Sequence, residues 1–201
     1  MDLFKENFNS KNLLPYGGEV YYYPDFFSRE KADGLFLDLE ETLSWRQEPI
    51  RIFGKMIMQP RLTALYGNPN QEYGYSGISM TPELWTESLF EIKEKIEANS
   101  QETFTHVLCN LYRDGQDSMG WHRDNEPILG PEPCIASLTL GAPRVFQLRN
   151  YQTKKDKIDL LLQHGSLLIM KGQSQQVWEH QVPKTKKVAT PRINLTFRHL
   201  K

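Results

Sequence analysis

Arg192-Ile193-Asn194-Leu195-Thr196-Phe197-Arg198 alternates strictly between polar and apolar side chains. Strand side chains repeat every second residue, so this segment reads as a strand. It buries Ile193, Leu195 and Phe197 on one face and turns Arg192, Asn194, Thr196 and Arg198 to the other. Working back from it, residues 166–170, 144–148, 135–140 and 107–112 carry the same strand character, with Gly or Pro between most of them. Many short strands with no helical period between them predict a double-sheet β-sandwich of jelly-roll type. The fold class is therefore mostly β with flanking helices (α+β).

The helices belong to the N-terminal half. Ser28 can cap a helix carrying Leu35, Leu37 and Leu39 to about Leu43, weakened by about 1 kcal/mol at Gly34. Thr81, followed by Pro82 in the first turn, starts a second helix with Trp85, Leu89, Ile92 and Ile96 as one apolar stripe. Residues 45–80 are rich in Gly, Pro and Tyr and read as hairpins and loops rather than packed core. The segment through Gly18 reads as a loose leader before a strand-like 20–23. A length of 201 residues suits one domain.

Hydrophobic residues at 39% and charged residues at 24% describe an ordinary soluble globular chain. No apolar run approaches the roughly 20 residues of a membrane span, and Met1-Asp-Leu-Phe-Lys5 lacks a signal-peptide pattern. The expected location is intracellular: cytoplasmic, or nuclear in a eukaryote. Cys109 and Cys134 read as reduced core residues, and a monomer is expected. A net charge of −1 gives no global attraction to nucleic acid, so a phosphate-binding surface must be local. The candidate groups are Arg51, Lys55 and Arg61; Lys154, Lys155 and Lys157; and Lys184, Lys186 and Lys187.

Chemistry concentrates at His122-Arg-Asp124 and at His180, 58 residues downstream. Two histidines and a carboxylate can occupy one face of Fe(II), leaving positions for a chelating cosubstrate and dioxygen. Arginine suits a dicarboxylate, because its planar fork gives two parallel charge-assisted hydrogen bonds. Arg192 and Arg198 share one face of their strand, and so do Asn110 and Tyr112 of theirs. This set reads as an Fe(II)- and 2-oxoglutarate-dependent dioxygenase. His106, His164 and His199 read as structural or surface residues.

Two stretches are more specific still. Asn110-Leu-Tyr112-Arg-Asp-Gly-Gln-Asp-Ser-Met-Gly-Trp-His122-Arg-Asp124-Asn-Glu126 and Pro191-Arg192-Ile-Asn194-Leu-Thr-Phe-Arg198 together resemble the AlkB family of nucleic-acid oxidative dealkylases. The resemblance runs from about Phe53 to the C-terminus and is nearest to the duplex-acting DNA branch. It implies the same jelly roll, with a nucleotide-recognition lid at about 45–80 and a catalytic core at about 104–201. It also implies Fe(II) on His122, Asp124 and His180. Arg192, with Asn110 and Tyr112, then takes the distal carboxylate of 2-oxoglutarate, while Arg198, helped by Asn194, sits near the metal-bound end.

For substrate, the resemblance implies Glu126 against the damaged base and Tyr75 stacking on it opposite His122. Tyr73 lies at its edge or phosphate, and Phe53 tips a finger hairpin that wedges into duplex DNA. Relatives often carry an acid where this chain has Asn125, which leaves the finer preference open. The implied reaction is dealkylation of N1-methyladenine and N3-methylcytosine in DNA, releasing formaldehyde, succinate and CO2. Two alternatives share these residues: an RNA or protein demethylase or hydroxylase of the same chemistry, and a jelly-roll binding module without turnover.

Overall fold

The computed structural model describes residues 11–201 apart from 53–54, 70–72 and 76–77, with backbone alone for 50–52, 55, 73–75, 78 and 79. Two antiparallel sheets form the jelly roll. The larger runs β1 (Glu19–Tyr23), β12 (Ser166–Lys171), β9 (Ile135–Gly141), β14 (Arg192–Arg198), β7 (His106–Tyr112) and β4 (Leu62–Gly67). The smaller runs β11 (Ile158–Leu162), β10 (Arg144–Asn150), β13 (Trp178–Val182) and β8 (Met119–His122). Two separate hairpins, β2 (Pro49–Ile52) with β3 (Lys55–Met58) and β5 (Tyr73–Tyr75) with β6 (Ile78–Met80), occupy the stretch expected to hold hairpins.

Every residue of β14 is buried, so both faces of the larger sheet are covered. Ile193, Leu195 and Phe197 join a core with Leu35 and Leu39 of α1 (Arg29–Thr42) and Leu89, Ile92 and Ile96 of α2 (Glu87–Ser100). Each fully buried side chain of this kind contributes about 1.5–3 kcal/mol. A second core holds Leu108, Ile135, Phe146, Leu148, Met170, Trp178 and Val182, drawn from both sheets. The polar face of β14 is turned away from the helices, into the space where the site forms.

The structure departs from expectation in four places. Ser28 caps α1 as anticipated, but α2 starts at Thr86, whose Oγ1 accepts from Leu89 N at 3.2 Å. Thr81 cannot serve, because Glu83 is held extended by backbone bonds to Leu65 and Gly67. Second, β4 lies inside the packed region, with Thr63 through Gly67 buried against β7. Third, β8, β11 and β13 are strands that sequence reading left unassigned. Fourth, the leader is tied down from Asn12 onward. Asn12 Oδ1 accepts from Leu14 N and Val20 N, and Tyr16 lies against Trp178 with ring centroids 5.3 Å apart. Among the described residues no helix is long and apolar enough to cross a membrane.

Candidate metal and cosubstrate centre

His122 ends β8 and His180 lies in the middle of β13, where the two are direct partners in the register. Their rings meet edge to face with centroids 4.2 Å apart. Asp124 lies two residues beyond β8, and one potential ligand atom from each of the three falls within 4.8 Å of the other two. His122 Nδ1 is 2.9 Å from Gly120 O. A carbonyl only accepts, so the proton sits on Nδ1 and the Nε2 lone pair is left for a metal. That Nε2 lies 3.8 Å from Asp124 Oδ1.

Asp124 is held at three points. Its backbone N–H donates to Gln175 Oε1 at 2.9 Å, and Oδ2 accepts from Arg198 Nη2 at 2.6 Å and Nε at 3.2 Å. Oδ1 is buried with no hydrogen-bond partner among the described residues. Burial works to raise the carboxyl pKa, but Arg198 and the two histidines outweigh it and hold the group at about 2. Burial, reinforced by His122, pushes His180 down to about 3. Burial also lowers His122, against the pull of Asp124. The triad is thus one anion and two neutral imidazoles, the protonation state a divalent metal requires. These residues fit Fe(II), and the lone Asp124 Oδ1 is the atom that says so.

The triad lines a small cavity of about 40 Å³ that opens to solvent. Asn110, Tyr112, Arg192, Asn194 and Arg198 line the same cavity, joined by Ser137 and Phe146. Arg192 is 1% exposed, and its Nη2 donates to Thr139 Oγ1 at 2.9 Å. Nε and Nη1 are buried with no hydrogen-bond partner among the described residues. Those unused donors on a buried cation suit a carboxylate, which accepts charge-assisted hydrogen bonds. Asn194 Nδ2 donates to Ser137 Oγ and Leu138 O, which fixes its amide beside the arginines.

Of the expected substrate residues, only Glu126 has a described side chain. Glu126 is half-buried at the start of a short 3-10 turn and is not among the residues lining the cavity. Tyr73 and Tyr75 lie on β5, with side chains outside the described residues, and Phe53 lies outside them altogether. Of the basic groups, Lys154, Lys155, Lys157, Lys184, Lys186 and Lys187 are exposed. Arg61 is not a surface cation. It is 3% exposed, and its Nε donates to Asn110 Oδ1 at 2.7 Å. Pairing of β4 with β7 carries it inward, and with Gln175, Thr139 and Arg144 it makes up the buried polar set that sequence reading missed.

The sequence pattern of the 2OG-Fe(II) oxygenase superfamily matches residues 19–198. Alpha-ketoglutarate-dependent dioxygenase alkB homolog 3 of Mus musculus is 41% identical over 197 residues, covering 93% of this chain and 68% of the relative. DNA oxidative demethylase ALKBH2 of Homo sapiens is 36% identical over 188 residues, covering 89% and 72%. The solved structure described as "The structure of OsALKBH1" superposes with a TM-score of 0.63 at 16% identity, covering 94% of this chain and all of that one. At that identity the likeness speaks to the fold.

Proposed function

Since the chain belongs to the AlkB family of 2OG-Fe(II) oxygenases, we propose that its substrates are N1-methyladenine and N3-methylcytosine in DNA. It is an Fe(II)- and 2-oxoglutarate-dependent dioxygenase that demethylates nucleic acid oxidatively. Iron, 2-oxoglutarate and dioxygen together supply the hydroxylation of the methyl carbon and yield succinate and CO2. A hydroxymethyl on a ring nitrogen then expels formaldehyde and leaves the unmodified base.

The chain's own residues hold and orient. His122, Asp124 and His180 would hold the metal, and Arg198 keeps Asp124 ionised while occupying Oδ2, which leaves Oδ1 without a hydrogen-bond partner. Arg192 takes the distal carboxylate, helped by Asn110 and Tyr112, while Asn194 supports the metal-bound end. The observation that carries this assignment is that one cavity is lined by two residues with unpartnered buried atoms, Asp124 at Oδ1 and Arg192 at Nε and Nη1. One awaits a cation and the other an anion.

Glu126 suits a cationic methylated base, because a carboxylate accepts from the exocyclic amine and offsets the positive charge. Tyr73 and Tyr75 would close over the flipped base, and Phe53 would fill the gap in a duplex. Formaldehyde and restored base are to be measured on matched single-stranded DNA, duplex DNA and RNA oligonucleotides, each carrying one methylated base. Release from methylated DNA supports the proposal. Turnover on RNA alone transfers the activity to RNA. Metal and 2-oxoglutarate binding without succinate from any of these leaves a non-catalytic binding module.

A further inference from the structure

Arg144 is one of the largest side chains withdrawn from solvent, at 2% exposure. It opens β10, and its guanidinium reaches three carbonyls. Nη1 donates to Asp114 O at 3.1 Å, and Nη2 donates to Asp117 O at 2.9 Å and to Pro183 O at 2.7 Å. The first two carbonyls belong to the loop that leaves Tyr112, and the third to the chain that leaves β13 past His180. Its central carbon lies 5.6 Å from the centroid of the Tyr112 ring, and that of Arg192 lies 5.1 Å from the same ring. One tyrosine therefore has two buried guanidiniums beside it.

Buried charges are normally matched by an opposite charge. Asp117 and Asp114 draw on this charge from nearby, but neither carboxylate hydrogen-bonds to it. Asp117 is chelated by Arg113 at 2.8 and 2.9 Å, and Asp114 Oδ1 accepts from Gln116 N. Carbonyl dipoles satisfy the hydrogens of Arg144 but leave its net charge in place. That charge is felt locally. Burial brings Arg192 down to about 10, and Arg144 adds to the lowering while Tyr112 opposes it. A carboxylate arriving at Arg192 relieves both cations at once.

We propose that Arg144 is a positioning residue for 2-oxoglutarate, fixing Tyr112 and its loop and adding a second positive charge that makes the distal end of the pocket select a dicarboxylate. The proposal rests on the reading above that Arg192, Asn110 and Tyr112 receive the distal carboxylate. Its signature is selectivity. An arginine that only holds two loops together weakens any 2-oxo acid equally, whereas a charge at the distal end matters only to a ligand with a carboxylate there.

The test is calorimetric binding of 2-oxoglutarate and of 2-oxopentanoate, in which a methyl replaces the distal carboxylate. It uses Mn(II)-loaded protein without oxygen, with the melting temperature of each variant measured alongside. Arg144→Met is expected to lose about tenfold or more in 2-oxoglutarate affinity while 2-oxopentanoate changes by less than about threefold. Arg144→Lys, which keeps the charge, is expected to retain most of the preference. Equal loss for both ligands, or no loss for either, overturns the proposal. Should Arg144→Met fail to fold, Arg144→Gln is read by the same criterion. Arg192→Met separates the two levels. If it keeps the preference, the underlying reading of the pocket falls; if it loses the preference while the neutral Arg144 variant does not, only Arg144 is withdrawn.

Discussion

Arg198 and Asp124, 74 residues apart, form a buried ion pair with Nη2 2.6 Å from Oδ2. This bond commits one carboxylate oxygen and leaves the other for metal. A ligand carboxylate must be ionised, and here it stays so down to about pH 2 because Arg198 overcomes burial. In Arg198→Met burial acts unopposed by that cation, so the carboxyl takes a proton at higher pH. The acid limb of Mn(II) binding, followed by anaerobic titration across pH, is expected to move upward. An unmoved limb refutes the role given to Arg198.

Gln175 holds the same aspartate by its backbone, accepting the Asp124 N–H at 2.9 Å. Asp124 has already left β8, so that side chain substitutes for a strand partner. Gln175→Leu is expected to weaken metal affinity by about 10–100-fold, the usual effect of losing an outer partner of a ligand. Retained affinity in a folded variant would show that Arg198 alone positions Asp124.

The metal-free protein should lose stability in acid through its histidines. The pKa of His180 falls from 6.5 to about 3 on folding. Between those values the unfolded chain binds the extra proton, so stability declines as pH drops through this window, by up to about 1.4 kcal/mol per pH unit. Denaturant melts of wild type and His180→Leu compared from pH 7 to 4 check the sign. The variant's curve should be the flatter.

Gly115 sits where two loops cross, donating to Val188 O and accepting from Thr185 N, both at 2.8 Å. A Cβ there would collide with Thr185 O. Backbone cannot step aside as a side chain can, so Gly115→Ala is expected to cost about 1–3 kcal/mol. A melting temperature equal to wild type would contradict the close approach.

Phe53→Ala is expected to lower activity on duplex substrate by about tenfold or more, on the order of one base–aromatic stack. Single strands have no opposite stack to refill and should suffer much less. Equal losses on both would assign Phe53 to folding and remove the support for a duplex preference.

Much of the site was legible because its residues repeat at strand spacing. Arg192, Asn194 and Arg198 on β14 and Asn110 and Tyr112 on β7 announce an inward polar face. The His-x-Asp pair and a distant histidine suggest a ligand set, which the structure brings together. Residues whose burial depends on distant pairing stayed hidden. Arg61 reads as a surface cation until β4 pairs with β7, whose partner residues lie 39 to 49 positions on. Tyr16 and its neighbours read as loose until Trp178 arrives, with its Nε1 donating to Tyr16 O at 3.0 Å. Thr81 and Thr86 are both plausible caps, and the choice is made by Glu83, which is pinned to β4. β13 lacks the alternation of β14: Glu179, His180 and Gln181 are polar in succession, so no period of two marked it as a strand.

β8 is the outermost strand of the smaller sheet, four residues long, and its pairing with β13 is irregular between His180 and Val182. Edge strands with one neighbour are the first to fray. The paired histidines straddle that single seam, so an ion held by both would also tie the two strands together. Amide exchange along residues 119–124 should therefore slow on loading, turning the rim of the pocket into a gauge of whether the protein is charged for work.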